Sequence, residues 1–167
     1  MSGPQWRRMR PGDIPAAHAL SRQVHTDHPE SEAVLAEKHA LFPAGCFALE
    51  TEGDGVAGYA FSHPWTNGVL PNVDALLGAL PAAPSSYFVH DVTLDAGARG
   101  KGHAAAIVPV LLDAARACGL PRVMLVAVNG AEVFWARFGF AEIADPGLQA
   151  AAREKYGQHA LAMARDV

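Results

Sequence analysis

Only two of the 167 residues are cysteine, Cys46 and Cys118, and they lie far apart in the chain. That excludes a disulfide scaffold. Both are expected as buried free thiols, and a reducing cytoplasm as the compartment. No apolar run reaches the length of a transmembrane helix, and no basic-then-apolar leader opens the chain, so neither membrane nor export is expected. A cationic excess is missing too. Thirteen Lys and Arg against 17 Asp and Glu give a formal charge of −4. A nucleic-acid binder usually carries a basic stripe, so nucleic acid is not expected as a partner, and the mild acidity leans toward a cationic one. Metal-ligand spacing is absent as well. His25, Asp27 and His28 share one loop and lack the helical His-x-x-x-His spacing, so they read as loop polarity and no metal is expected.

What is present is an ordinary globular composition, 50% hydrophobic and 18% charged, enough for a single domain over residues 1–167. Strand-like runs cover Trp6–Arg10, Gly45–Thr51, Val56–Ser62, Tyr87–Leu94, Arg122–Val128, Phe140–Ile143 and Leu161–Arg165. Helix-like runs cover Ile14–Val24, capped by Asp13, then Glu30 or Ser31 to His39, Ala104–Ala117 and Glu132–Phe138. Glu52-Gly53-Asp54-Gly55 is a turn between strands. His63–Pro84 is the longest irregular insertion, with a short helix expected at Val73–Leu80. Strands and helices alternate along the chain, which predicts an α/β fold. Pro109 falls inside the third long helix, where it removes a hydrogen bond to the Ala105 carbonyl and predicts a kink.

The densest chemical signal is Arg99-Gly100-Lys101-Gly102-His103-Ala104, between the Tyr87–Leu94 strand and the following helix. Small residues at the mouth of a helix let its unpaired N–H groups approach a phosphate closely. A P-loop would need Ser or Thr after Gly100-Lys101, and Gly102 stands there. A dinucleotide fold is formally matched by Gly100-x-Gly102-x-x-Ala105. Its glycines should follow the strand at once, however, and the next strand ends in Asn129-Gly130 with no ribose-binding carboxylate.

A third pattern, Arg/Gln-x-x-Gly-x-Gly/Ala, fits Arg99-x-x-Gly102-x-Ala104. Together with the preceding strand, and with Phe134-Trp135-Ala136-Arg137-Phe138-Gly139-Phe140, it resembles the GNAT superfamily of acyl-CoA N-acyltransferases. Arg10-Pro11-x-Asp13 and Gly58-Tyr59 suit the same resemblance, which runs from about Trp6 to the last strand. It implies a single-domain GNAT-like fold: a central mixed, mostly antiparallel sheet, splayed at the cofactor strand and flanked by helices. It also implies acetyl-CoA as cosubstrate, an amine acceptor as partner and direct attack in a ternary complex, and it allows a homodimer. No well-placed cysteine nucleophile suggests a covalent route.

On that resemblance the backbone of Val92, Thr93 and Leu94 holds the acetyl-pantetheine arm. The stretch Arg99, Gly100, Lys101, Gly102, His103, Ala104 and Ala105 holds the pyrophosphate, and Asn129 and Trp135 line the arm. His90 is the candidate proton acceptor, since imidazole titrates near neutrality. In the arylalkylamine branch a histidine holds the corresponding place, with a second two residues earlier; here that position is Phe88. Asp91 is a further catalytic candidate, on the opposite face of a regular strand unless a bulge turns it. Trp135 stands where many members carry a tyrosine acid, and an indole N–H cannot protonate a thiolate. Tyr156 or water is the alternative acid. His25, Asp27, His28 and the His63-Pro64-Trp65 segment are candidates for the acceptor rim. A non-catalytic acyl-CoA-binding module and a Rossmann-type oxidoreductase remain as other readings. The acceptor itself stays open among small amines, polyamines, antibiotics and protein N-termini.

Overall fold

The computed structural model describes residues 3–167 apart from His28 and Asp54. Seven strands form one sheet in the order β1-β2-β3-β4-β5-β7-β6. They are β1 (Gln5–Arg8), β2 (Cys46–Glu50), β3 (Val56–Trp65), β4 (Ser86–Leu94), β5 (Arg122–Ala127), β6 (Ala141–Glu142) and β7 (Leu161–Asp166). Only β4 and β5 run parallel; every other pair is antiparallel. The helices are α1 (Ile14–Val24), α2 (Glu32–Leu41), α3 (His103–Ala117), α4 (Glu132–Ala136) and α5 (Pro146–Tyr156). No helix among the described residues is long and apolar enough to cross a membrane.

The sheet alternates as period two requires. Tyr87 and Val89 of β4 pack with Ile107, Leu111 and Ala115 of α3, and Trp135 of α4 joins the same cluster. Phe88, between them, turns to the other face and packs with Leu148 and Ala152 of α5. Tyr59 and Phe61 of β3 meet Ile14, Ala17 and Leu20 of α1 and Leu35 of α2. Gly58 is required where β3 passes β4, because a Cβ there would stand 2.9 Å from the Thr93 carbonyl oxygen.

Several expectations are corrected. Asp13 does not cap α1. Its carboxylate accepts from the Arg10 N–H at 2.7 Å and from Arg7 at 2.7 and 3.0 Å. No helix forms at Val73–Leu80. Asp74 and Gly78 take φ of 49° and 78°, and the Glu37 carboxylate captures the N–H groups of Leu77 and Gly78, the donors a helix would need. β3 continues through Pro64 to Trp65. Its pairing with β2 ends at Phe61, so the missing Pro64 N–H costs no ladder bond on that side. α5 has no counterpart in the sequence reading. α3 runs on through Pro109 to Ala117, and Pro109 and Ala105 are both exposed, so the carbonyl that Pro109 leaves unpaired lies on the solvent side. Cys46 is buried, its thiol pushed up to about 12 by burial, whereas Cys118 is exposed at the end of α3.

Candidate active site

β4 and β5 pair only at Tyr87–Val123, Phe88–Met124 and Val89–Leu125. Beyond Val89 they part. Val126 and Ala127 pair only with β7, while β4 stays on β3 as far as Leu94. The β4 backbone from His90 onward therefore has one free edge, facing a wedge in the middle of the sheet. A free strand edge of this kind suits an extended chain that supplies its own hydrogen-bonding groups.

α3 begins beside this wedge. Gly100 and Gly102 have φ of 73° and 84°, and a Cβ at either would meet nothing within 4 Å, so the backbone is open to a ligand there. The bond from Ala106 N–H to the Gly102 carbonyl opens the helix, and the N–H groups of His103, Ala104 and Ala105 precede it. Trp6 of β1 donates its indole N–H to the His103 carbonyl at 2.8 Å, which ties the start of α3 to the far edge strand. Arg99 folds back, its Nε donating to the Leu94 carbonyl at 3.3 Å. Lys101 is exposed. Asn129 is an exposed turn residue with φ 54°. Trp135 is buried edge-on against Phe134 and Phe140.

At the mouth of the wedge β4 bulges. Phe61 opposes Asp91 and Ser62 opposes Val89, so His90 has no partner on β3. The extra residue turns His90 and Asp91 to the same face, the one covered by α1 and α2. Val92 keeps to the α3 face and Thr93 returns to the α1 face.

His90 donates from Nε2 to Glu30 Oε1 at 2.8 Å, and Glu30 Oε2 lies 3.3 Å from Lys38 Nζ. Glu30 and Lys38 are buried, 6% and 2% exposed. Burial alone would push the Glu30 carboxyl up. The His90 hydrogen bond and the neighbouring charges outweigh it and hold the group at about 2. His90 is thus fixed with Nε2 as the N–H, and its buried Nδ1 has no partner.

Asp91 is a second hub. It accepts from the Tyr59 hydroxyl at 3.0 Å and the Thr93 hydroxyl at 2.8 Å. With its proton committed to Asp91, Thr93 accepts from His25 Nε2 at 3.0 Å. The hydrogen bond with Asp91 raises the His25 pKa, against a smaller opposing effect of burial. Asp91 therefore organises its surroundings.

Behind His90 the ring of His63 lies 6.0 Å away, centroid to centroid, and Trp65 lies 5.2 Å beyond His63. His63 Nε2 and Trp65 Nε1 are buried without a partner, like His90 Nδ1. Burial pushes the His63 pKa down to about 3, so this imidazole is neutral. The Tyr156 hydroxyl donates to the Pro71 carbonyl at 2.6 Å, and burial raises its pKa. That bond ties the hydroxyl to the insertion.

His90, Asp91, Val92, Thr93 and Leu94 lie on β4 past its last β5 pair, the stretch from Arg99 to Ala105 leads into and begins α3, and His25 reaches β4 through Thr93. Asp27 lies in an exposed bend and His28 lies outside the described residues. Glu30 and Lys38 had not been singled out. Both resemble surface charges in the sequence, and only a fold that buries them together exposes their role.

An open sheet parted at its parallel strand pair, beside a glycine-opened helix, defines an acyltransferase architecture. The model of the acetyltransferase (GNAT) family matches residues 14–140, and the chain belongs to that family. No curated protein matches the chain significantly. Among solved structures, the loading GNATL domain of CurA from Lyngbya majuscula is 14% identical, with 99% of this chain and 98% of that one covered and a TM-score of 0.77. The ribosomal-protein-S18-alanine N-acetyltransferase of Escherichia coli is 19% identical over 98% and 94%, TM-score 0.68. Rv2747 from Mycobacterium tuberculosis, solved in complex with CoA and NLQ, is 21% identical over 98% and 99%, TM-score 0.64. At these identities the likeness concerns the fold.

Proposed function

We propose that the protein transfers an acetyl group from acetyl-CoA to a primary amine by direct attack in a ternary complex. The observation that carries this reading is the parting of β4 and β5 at Val89 and Leu125, next to the open start of α3. Residues Val92, Thr93 and Leu94 would offer the acyl-pantetheine arm their free backbone edge. Residues from Gly100 to Ala105 would take the pyrophosphate on backbone N–H groups, with Arg99 and Lys101 adding charge at the rim. Trp135 would wall the arm.

The amine nitrogen attacks the thioester carbonyl carbon. A C–N bond forms, the C–S bond breaks and CoA leaves as thiolate. The amine proton passes to Nδ1 of His90, whose Nε2–H is held by Glu30, an arrangement that sets the tautomer and steadies the imidazolium. Asp91 holds Tyr59, Thr93 and His25 around the base. Trp135 supplies no acid and the Tyr156 proton is engaged, so water protonates the thiolate, a tolerable leaving group with pKa about 8.5.

The test combines ligand binding with turnover. Acetyl-CoA at a hundredfold excess over Kd should stabilise the fold by about 2.7 kcal/mol in thermal unfolding, and NAD should do much less. His90→Ala should lower kcat for CoA release near neutral pH by about 10²-fold, with the deficit shrinking as pH approaches the acceptor's own pKa. An equal shift with NAD, or a deficit independent of pH, would count against the reading.

A further inference from the structure

Two buried imidazole nitrogens face the same problem. His63 Nδ1 lies 2.9 Å from the Pro64 carbonyl oxygen, which can only accept, so Nδ1 carries the hydrogen and Nε2 is a bare lone pair. In neutral His90 the Glu30 carboxylate requires the hydrogen on Nε2, so Nδ1 is the lone pair. Among the described residues neither nitrogen has a partner, both side chains are at least nine-tenths buried, and the rings stand 6.0 Å apart with a 37° tilt. Two lone pairs cannot bond each other. With both imidazoles neutral, a single group that brings two hydrogens on one atom satisfies the pair. His90 is also the first β4 residue past the pairing with β5, at the position where the wedge begins.

We propose that His90 Nδ1 and His63 Nε2 form the seat of the acceptor nitrogen, and that this seat selects amines whose ammonium form carries at least two hydrogens. The inference rests on the acyl-transfer reading above and adds a specificity residue to it. A primary ammonium presents three N–H groups, two for the imidazoles; after one proton moves to His90, a neutral amine N–H remains on His63 Nε2 and the nitrogen lone pair is free to attack. A hydroxyl and a tertiary ammonium each bring a single hydrogen. Both leave the seat half filled, and an unfilled buried acceptor carries a penalty. His63 suits the task because burial keeps it neutral and therefore an acceptor. Trp65 and Phe88, edge-on and tilted against the His63 ring, hold its orientation.

The test reads the ring nitrogens directly. Full-length protein with 15N-labelled histidine and bound CoA is titrated with methylamine and, separately, trimethylamine, while calorimetry in the same samples reports CoA binding. The expected result has three parts. The tautomers are Nδ1–H for His63 and Nε2–H for His90, methylamine moves both lone-pair nitrogens with one saturable affinity, and trimethylamine moves neither pair. His63→Phe should weaken methylamine at His90 by about tenfold, the scale of one lost hydrogen bond, and His63→Gln, which keeps an acceptor near the Nε2 position, should recover most of it. A hydrogen on His63 Nε2, a shift at His90 alone, no shift with methylamine, or equal shifts with trimethylamine would each overturn the seat. Failure of the acyl-transfer reading shows elsewhere, as a protein that does not bind CoA.

Discussion

Replacing Glu30 by glutamine perturbs the most consequential buried charge in the molecule. The carboxylate serves two donors with two oxygens, His90 Nε2–H at 2.8 Å and Lys38 Nζ at 3.3 Å. Glutamine has one acceptor oxygen and can serve one of them. The other is left facing an NH2 group, and the Lys38 side chain, 1% exposed, loses its counter-charge. Breaking a buried ion pair in this way costs about 3–5 kcal/mol. The titration of Glu30 leads to a similar figure: a carboxyl held at about 2 in the fold against an ordinary 4.5 corresponds to about 3 kcal/mol. Because the folded value is depressed, that stability is present above pH 4.5 and is lost as pH falls from there through about 2.

Four proteins decide the matter: the parent, Glu30→Gln, Lys38→Met and the double variant, unfolded by urea at several pH values and assayed for CoA release. Glu30→Gln should lose about 3–5 kcal/mol at pH 7, and the gap to the parent should close toward about pH 2. The double variant should regain part of that stability, since removing the ammonium leaves no unpaired buried charge. It should not regain kcat, because His90 still lacks the carboxylate charge that steadies its imidazolium. That split separates a positioning role from a merely structural one. A Glu30→Gln variant within about 0.5 kcal/mol of the parent at pH 7, or a double variant with full turnover, would refute the argument.

Three further outcomes are expected. Gly102→Asp keeps a residue type that tolerates left-handed φ, so the fold should survive while the added carboxylate abolishes acetyl-CoA binding in calorimetry. Asp91→Asn should lower the His25 pKa, read from its ring-proton NMR titration, since the Asp91 hydrogen bond is what raises it. In the parent protein, the stability contributed by His25 is full below its unfolded pKa and fades as pH rises through the raised folded value. Trp135→Tyr leaves a void against Phe134 and Phe140, so stability should fall by about 1–3 kcal/mol in urea unfolding with CoA release level or lower; a higher kcat would show that thiolate protonation limits turnover.

What was legible in the chain was what is encoded locally. The aromatic and β-branched run of β4, the two glycines before α3 and the small residues after them sit within 20 positions, and each is a backbone instruction that needs no distant partner. The site around His90 is different. Its parts come from the α1–α2 loop, from α2 and from the far end of β3, and the link among Glu30, Lys38 and His63 is burial, which no local pattern carries. The sequence offers His63 only as a rim candidate beyond a strand ending at Ser62, and only the sheet shows that β3 runs on through Pro64, where β2 has already left it. α5 was missed although Asp145 accepts from the Leu148 N–H at 3.1 Å with Pro146 at the first turn, a start signal that the sequence does display.

The bulge at His90 shows most sharply where sequence stops and fold begins. Strict alternation would put His90 and Asp91 on opposite faces, one toward α3 and one toward α1. A single unpaired residue on β4 reverses that, and His25, Glu30, Tyr59 and Thr93 then find both side chains on one face. The same irregularity lies one residue past the last β4–β5 pair, so the point where the sheet parts and the point where the imidazole turns are set together. The register of the sheet thus couples the opening of the wedge to the placement of its base. A substitution that restores regular pairing at this point would displace both.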